Sequence, residues 1–393
     1  MKDILYIAWQ YLSHNRVKTG ILVACITIIL ALPIALEIIL NQSEKQLMSR
    51  AEATPLIVGA KGSALDLCMN SLYFDDELPD FIKMDAAYEV RESGLALPVP
   101  VYIRFHAREF SIIGTESDYF EHRNLTVSKG RNFGILGECV IGATVAEELG
   151  LVVDSFIISS PESLFDIAGV YPLKMKITGV LAPTYTSDDL GIFTDLKTCW
   201  VIEGLGHGHQ DLQQINDPTL IYSRSDSVVT ATAKLFHYNE ITSNNLESFH
   251  FHGDMSGYPI TAVLVFPNDE KSGTILMGRY LSDEAQYQIL KPTEVIDGLL
   301  QNIFRIRNVL DAVIAIVGIT TLLAMILVFT LSLRLRQREI QTIFKLGCSR
   351  GTIARLLIAE ISFIILISVV LTGALAILLN QTASGLVRMI FMG

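Results

Sequence analysis

Charged side chains are scarce in this sequence of 393 residues. Only 18% of the residues are Asp, Glu, Lys or Arg, whereas 50% are hydrophobic. This balance is unusual for a soluble protein of this size, so it predicts membrane-spanning segments. Basic residues are fewer than acidic ones, which gives a formal net charge of -11, and no cluster of basic and aromatic residues offsets it. We therefore expect no nucleic-acid partner.

Cysteine is also rare, with five residues in the whole chain. Cys25 and Cys348 fall in or beside apolar segments, which leaves Cys68, Cys139 and Cys199 for the long central region. At most one disulfide can form among these three thiols. The fold therefore does not depend on a disulfide framework.

Motifs for nucleotide hydrolysis and for peptide or ester hydrolysis are missing as well. The segment Gly59–Ser63 has the residue types of a phosphate-binding loop, but its Lys precedes its second Gly, and we expect a structural turn there. Neither a Gly-x-Ser-x-Gly elbow nor a zinc-protease helix is present. We expect that the chain is not itself an enzyme.

Three apolar runs are long enough to cross a bilayer, which needs about twenty residues in a helix. They cover residues 19–40, 309–333 and 356–379. The first run is too long for the core of a signal peptide, and no small-residue cleavage site follows it, so we expect a retained helix. Residues 1–18, which precede it, have an amphipathic pattern and are expected to form an interfacial elbow helix.

Basic residues predict the orientation of these spans. Lys2, Arg16 and Lys18 precede the first span, and residues 334–355, between the second and third spans, contain six basic residues. Both segments are expected in the cytoplasm. Residues 41–291 then form an extracytoplasmic domain, residues 292–308 a stalk helix that continues into the second span, and residues 380–393 an extracytoplasmic tail.

The central domain contains both strand and helix patterns. Two short helices are expected, at Ala143–Leu149 and Ser272–Leu281. The expected strands are rich in Val, Ile, Tyr and Phe; they are Ala96–Phe105, Phe110–Gly114, Cys139–Ile141, Ser155–Ser159, Leu173–Val180 and Thr261–Phe266. The predicted fold is a membrane protein with three transmembrane α-helices and a large α+β extracytoplasmic domain inserted between the first and the second.

Local motifs accompany this order of parts over most of the chain: Ala8–Leu12, Asn15–Thr19, Lys129–Phe133, Glu138–Gly142, Ala146–Gly150, Ile177–Leu181 and Asp188–Leu196. These motifs and the order of parts resemble the MacB/LolC/FtsX-type permeases of ABC transporters. The most specific match is Arg336–Ile340 followed by Phe344–Arg350, which is similar to the family's basic-Glu-Ile and Leu-Gly-Ala-Ser-basic signature. The family usually has a fourth span, whereas about fourteen residues follow the third predicted span here, so we expect a three-span form.

The resemblance implies a location in the bacterial cytoplasmic (inner) membrane, with the N-terminus in the cytoplasm and the large domain in the periplasm. It also implies that ATP hydrolysis and the movement of the periplasmic domain belong to different subunits. A separate P-loop ATPase, in two copies, would bind Mg-ATP, and its motion would be relayed to the periplasmic domain of a permease dimer, expected to be a homodimer. The docking residues would be Arg338, Glu339, Ile340, Phe344, Leu346 and Gly347. Membrane lipid and a periplasmic partner or substrate-binding protein complete the expected contacts.

Two alternatives remain open at the level of sequence. By resemblance to FtsX, the chain could regulate an outer enzyme or sensor without transporting a substrate. The second alternative is transport or handling of zinc, because two histidine pairs each have a nearby carboxylate: His207 and His209 with Asp211, and His250 and His252 with Asp254. Residues two apart on an extended segment point the same way, so each pair can present two imidazoles to one metal ion.

Overall fold

The computed structural model describes residues 2–160, 172–208, 221–224, 229–231, 239–242, 245–282, 285–335, 337, 341 and 349–392. The chain divides into two compact units. Residues 1–45 and 300–393 form one, here called the helical unit, and residues 46–299 form the other, here called the sheet unit. The boundaries fall inside two long helices, so each of these helices contributes residues to both units.

The helices are numbered along the described chain. They are α1 (Lys2–His14), α2 (Arg16–Glu52), α3 (Ala64–Tyr73), α4 (Asp85–Glu92), α5 (Asp118–His122), α6 (Ala143–Leu149), α7 (Leu196–Ile202), α8 (Glu270–Arg279), α9 (Pro292–Leu335) and α10 (Arg350–Met392). Short 3₁₀ turns occur at Ser187–Leu190, Leu246–Ser248 and Met255–Gly257.

The strands are numbered in the same way. They are β1 (Leu56–Ala60), β2 (Ile82–Lys83), β3 (Ala96–Ala107), β4 (Phe110–Thr115), β5 (Val127–Gly130), β6 (Glu138–Ile141), β7 (Phe156–Ile158), β8 (Leu173–Leu181), β9 (Ile192–Asp195), β10 (Gly206–Gly208), β11 (Ile221–Arg224), β12 (Val229–Ala231), β13 (Asn239–Glu240), β14 (Phe249–Phe251), β15 (Pro259–Ile260), β16 (Ala262–Pro267) and β17 (Tyr287–Leu290).

The helical unit packs α1 and α2 against α10. Leu12, Leu22, Val23 and Ile364 form its buried apolar cluster. The hydroxyl of Ser368 on α10 lies 2.8 Å from the carbonyl oxygen of Ile364 and 3.3 Å from that of Val23 on α2. Small hydroxyl side chains allow apolar helices to approach closely, as membrane helices commonly do.

Among the residues that the structure describes, two helices are long and apolar enough to cross a membrane, Arg16–Glu52 and Gly351–Thr382. They contain the first and third predicted spans. The predicted stalk and second span lie on one continuous helix, α9. This helix is not among the two candidates, and the second span therefore stays a prediction from sequence. Helix α10 runs on to Met392, so the segment predicted as a tail is helical as far as the structure describes it.

The sheet unit is built on one mixed sheet, which has eleven strands in the described part of the chain. Nine of them follow the order β13-β8-β6-β9-β4-β3-β16-β1-β17, and β5 and β7 pair with β8 beside this path. All six strands expected from sequence are present within about two residues of their expected ends, as are both helices. The α+β prediction for this domain is therefore confirmed.

Both faces of the sheet are covered, because adjacent residues of its central strands point to opposite sides and both are apolar. On β16, for example, Leu264 packs on one face with α3, whereas Val263 and Val265 pack on the other. A bulge at Arg104 on β3 exchanges the faces, so Ile103 and Phe105 lie on opposite sides although they are two residues apart. The sheet thus forms the middle layer of three.

Candidate functional site

The ATPase-docking residues predicted from sequence, Arg338, Glu339, Ile340, Phe344, Leu346 and Gly347, all lie outside the described residues. Their role stays a prediction. At the C-terminal end of the same segment, residues 350–355 begin helix α10, and the hydroxyl of the preceding Ser349 accepts a hydrogen bond from the backbone N–H of Thr352. That hydroxyl caps the start of the helix that contains the third predicted span.

The histidine pairs are only partly described. His207 on β10 pairs directly with His250 on β14 in antiparallel register, whereas His209 and Asp211 lie outside the described residues. The rings of His250 and His252 are in contact, with centroids 4.7 Å apart. The Asp254 carboxylate accepts a hydrogen bond from the Ser256 N–H, which lowers its pKa. Within the described part of the chain, no three His, Cys, Asp or Glu side chains are grouped as metal ligands.

The structure reveals a buried group of charged side chains that the sequence did not indicate. Arg50, two residues before the end of α2, donates hydrogen bonds from Nη1 to Asp188 Oδ2 at 2.6 Å and from Nη2 to Asp188 Oδ1 at 2.9 Å. These side chains are only 4% and 3% exposed. Tyr119 and Arg123 complete the group. We call Arg50, Tyr119, Arg123 and Asp188 the helix-end cluster.

The four members of the helix-end cluster come from three local structures: the end of α2 (Arg50), helix α5 and its C-terminal cap (Tyr119 and Arg123), and the 3₁₀ turn before β9 (Asp188). Tyr119 lies on α5, and its hydroxyl donates to Asp188 Oδ1 at 2.8 Å. Arg123 follows α5 and donates to the Thr54 hydroxyl at 2.6 Å, just beyond the end of α2. Asp188 lies on the 3₁₀ turn before β9. Two elements of the core therefore converge on the end of α2.

The turn that carries Asp188 is itself held in place. The carboxylate of the next residue, Asp189, accepts hydrogen bonds from the backbone N–H groups of Thr184 and Tyr185, both at 2.8 Å. The Thr186 hydroxyl donates to Asp188 Oδ2 at 3.0 Å. Asp188 and Asp189 are both buried, and their carboxylates are accordingly surrounded by donors. The turn therefore presents Asp188 in one fixed orientation.

Electrostatics keeps Asp188 ionised although it is buried. Burial by itself would raise its pKa, but the charge and hydrogen bonds of Arg50 outweigh burial and lower the pKa to about 2. Burial, followed by repulsion from Arg50, lowers the pKa of Arg123. Burial and the charge of Asp188 raise the pKa of the Tyr119 hydroxyl, so it stays a neutral donor at neutral pH. Arg50, Tyr119 and Asp188 therefore form a buried, charge-assisted hydrogen-bond network, and the half-buried Arg123 lies at its edge.

Sequence reasoning missed this cluster for a physical reason. Arg50 and Asp188 are 138 residues apart, and each stands in a segment of ordinary polar composition. Only the segment around Asp188 carried a recognisable sequence pattern, and the segment around Arg50 did not. The Thr184–Asp189 segment combines two threonines and two aspartates, a pattern typical of a tightly hydrogen-bonded turn. Nothing local connects that turn to Arg50.

Comparison with known proteins agrees with this architecture. The sequence model of MacB-like periplasmic core domains matches residues 19–234, which is more than half of the chain. No curated protein matches the chain. Among solved structures, the periplasmic region of MacB from Actinobacillus actinomycetemcomitans is similar at 11% identity and a TM-score of 0.34, over 65% of this chain and 97% of that one.

Two further solved structures are similar to parts of the chain. The extracellular domain of the noncanonic ABC-type transporter YknZ from Gram-positive bacteria has 12% identity and a TM-score of 0.33, over 60% of this chain and 98% of that one. A domain of a putative permease protein from Porphyromonas gingivalis has 14% identity and a TM-score of 0.26, over 60% and 84%. On the match of residues 19–234, the chain belongs to the MacB-like family of ABC-transporter permeases, through its periplasmic core domain.

Proposed function

We propose that this chain is the transmembrane permease subunit of a MacB-like ABC transporter, and that it relays the motion of a separate ATPase to its periplasmic domain. The family match carries this proposal. The two continuous helices that contribute residues to both units, α2 and α9, support it. Both helices are continuous in the chain, with one backbone hydrogen bond of α2 removed at Pro33, and a continuous helix suits the transmission of a displacement along its axis.

In this proposal ATP and Mg²⁺ are bound by the partner ATPase, because the sequence has no phosphate-binding loop. The docking surface in this proposal is the basic segment 334–355, in which the spacing of Ile340, Ile343 and Phe344 predicts one apolar helical face. Two permease chains and two ATPases make the working unit. The chain binds its partners, and the partner performs the hydrolysis.

Co-purification tests the proposal directly. The full chain, expressed with its chromosomal neighbours, is purified in mild detergent and its partners are identified by mass spectrometry. We expect a P-loop ATPase in equal amount. Replacing Phe344 and Leu346 together by Asp is expected to abolish that association, whereas Leu281→Asp, which makes the same change at an 83% exposed position of the sheet unit, should retain it.

Four results of this experiment lead to different conclusions. An equal amount of ATPase that is lost only in the Phe344 and Leu346 variant supports the proposal. Retained ATPase in that variant contradicts the docking site but leaves the subunit composition intact. Recovery of a cell-wall hydrolase or another outer enzyme with the ATPase would favour the FtsX-like role as a regulator of an outer enzyme. Absence of any ATPase contradicts the proposed function.

Zinc handling is a second candidate, supported by the register of β10 and β14. His207 and His250 occupy opposite positions in the backbone register of β10 and β14. The ring of His252, the residue after β14 ends, contacts the ring of His250. Calorimetric titration of the full chain with zinc chloride should then show a saturable site that His250→Ala removes and His106→Ala retains. No saturable heat at micromolar zinc would end this idea.

A further inference from the structure

The last turn of α2 is bound into the sheet unit through its backbone. The carbonyl oxygen of Leu47 accepts a hydrogen bond from the Tyr73 hydroxyl at 2.5 Å, and that of Arg50 lies 3.4 Å from Arg123 Nη1. The side chains of Leu47 and Ala51 are buried. The carbonyl groups of the last four residues of a helix, here including Arg50 but not Leu47, have no partner within the helix, and a cation there is favourable for the helix dipole. Here the sheet unit supplies both the donors and the cation.

Arg50 connects this helix end to three separate parts of the core. Its Nε donates to the carbonyl oxygen of Leu72, near the end of α3. Its two Nη atoms reach Asp188, and Nη2 also lies 3.2 Å from the Tyr119 hydroxyl. A guanidinium is planar and binds a carboxylate through two parallel hydrogen bonds, so the pair resists rotation as well as separation. The contact therefore fixes the direction of the helix end.

Asp188 connects the contact to the centre of the sheet. Its 3₁₀ turn, Ser187–Leu190, is followed after one residue by β9, which lies between β6 and β4. Gly142, directly after β6, approaches the same turn closely, and its N–H donates to the carbonyl oxygen of Gly191 at 2.9 Å. A displacement of Arg50 thus acts on a central strand and its neighbour rather than on a surface loop.

We propose that Arg50 is the positioning residue that couples α2 to the periplasmic core domain, so that displacement of this helix moves strand β9 through the Arg50–Asp188 pair. This inference rests on the proposed function, in which an ATPase drives the helix. Arg50 pairs with Asp188 of the same chain, and in this proposal it transmits motion and does not bind substrate. Buried ion pairs are a weak means of adding stability, since desolvation offsets most of their attraction, whereas they specify geometry well.

The test compares two arginines that each pair with a carboxylate in the sheet unit. Arg50→Met removes the guanidinium at the end of α2. Arg104→Met removes the guanidinium that pairs with Glu203 at 2.9 Å, between β3 and the end of α7. Both variants keep an unbranched apolar side chain. The full chain with its co-purified ATPase is studied by hydrogen exchange and mass spectrometry, with and without ATP and vanadate.

The wild type is expected to show an ATP-dependent change in exchange in peptides that cover β6, β9 and the turn at 187–190. In Arg50→Met this change should be lost, although the ATPase still binds and still hydrolyses ATP. In Arg104→Met it should persist. Exchange without ATP shows whether each variant is folded. If Arg50→Met does not fold, Tyr119→Phe keeps the ring against Phe193 and removes only the hydroxyl bound to Asp188, and it should reduce the change.

The outcomes separate this inference from the proposed function. An unchanged ATP response in the folded Arg50→Met or Tyr119→Phe variant overturns the role of Arg50 and leaves the permease function intact. Equal loss in Arg104→Met also overturns it, because any perturbation of the core would then suffice. A wild type that binds no ATPase, or whose sheet unit does not respond to ATP, overturns the proposed function and this inference with it.

Discussion

At the scale of single residues, burial decides what an ion pair contributes. Arg50 and Asp188 are almost completely buried, whereas Arg91 and Glu116 form a 3.0 Å pair in which the side chains are 45% and 30% exposed. Water competes for the exposed pair and screens its charges, so its contribution is small. The buried pair cannot be broken without leaving a charge unsolvated. The two pairs therefore provide a matched comparison within one domain.

We expect Asp188→Asn to destabilise the sheet unit by about 3 kcal/mol or more at pH 7, because Arg50 is left buried without its counter-charge. Glu116→Gln should cost less than about 1 kcal/mol. Urea unfolding followed by fluorescence measures both, and a Trp9→Phe background leaves the buried Trp200 as the reporter. Equal destabilisation by the two substitutions would contradict the prediction that loss of the buried pair costs more stability than loss of the exposed pair.

The same pair predicts a dependence on acid. The pKa of Asp188 is lowered from 3.8 to about 2 in the folded chain, so its contribution to stability is complete above pH 4 and is lost as the pH falls through about 2. The stability difference between wild type and Asp188→Asn should therefore stay constant from pH 7 to about pH 5 and shrink below about pH 4. Unfolding curves of both proteins at a series of pH values measure this. A difference that is unchanged at pH 3 and below would count against it.

The three central cysteines are expected to be unreactive in the folded chain. Cys68, Cys139 and Cys199 are free and completely buried, and burial raises the pKa of Cys68 to about 12 and those of the other two further. The thiolate is the reactive form, so alkylation at pH 7 should be negligible. Mass spectrometry after maleimide treatment, with and without urea, checks this. Rapid labelling without urea would show that the core opens.

At the scale of secondary-structure elements, close packing of a glycine places the Asp188 turn. A Cβ at Gly142 would lie 2.2 Å from the carbonyl oxygen of Asp189 and 2.5 Å from that of Asp188. Both are backbone atoms, which cannot turn away as a side chain can. Helix α6 starts directly after Gly142, so a side chain here would separate the start of α6 from the turn before β9. Close packing against the turn therefore explains why a glycine stands at position 142, the last residue of the family-like segment Glu138–Gly142.

Gly142→Ala is expected to destabilise the sheet unit by about 1–3 kcal/mol, because the turn must shift to admit the methyl group. Gly278→Ala is the matched control. No atom lies within 4 Å of a Cβ at Gly278, which is inside α8, so this substitution should be neutral or stabilising by up to about 1 kcal/mol. Urea midpoints of the two variants give the comparison. A stable Gly142→Ala would mean that the turn and α6 are not held together.

At the scale of the whole molecule, the structure and the family match describe a membrane protein with a periplasmic domain. Two candidate spans and the core domain rest on described residues, whereas the orientation and the second span rest on the sequence. The native Cys348, in the basic segment between the second and third predicted spans, is a ready reporter of orientation. Glu109→Cys, at the exposed turn between β3 and β4, is its counterpart in the sheet unit.

We expect a membrane-impermeant maleimide to label Glu109→Cys in intact cells and to label Cys348 only after the membrane that holds the chain is permeabilised. The reason is that basic loops stay in the cytoplasm and the core domain is periplasmic. Cys348→Ala is the control for the loop signal. Labelling of Cys348 in intact cells would contradict the three-span topology and with it the cytoplasmic docking site.

Much of the architecture was predictable because it depends on local patterns. Strand β3 combines Val, Tyr, Ile and Phe over twelve residues, and α6 is bounded by Gly142 and Gly150, so both could be assigned from their own sequences. Helices α3, α4, α5 and α7 were missed, since they are short and take their stability from packing on the sheet. Local propensity is weak over so few residues.

Hydrophobic runs and strand patterns act over neighbouring residues, so the sequence was enough to predict the first and third spans and the α+β character of the large domain. The strand order, in which β16 inserts between β3 and β1, and the pairing of Arg50 with Asp188 became known from the folded chain alone. Such contacts join segments far apart in the chain, and many partners of equal chemistry compete for each. The folded core selects one of them by excluding water around it.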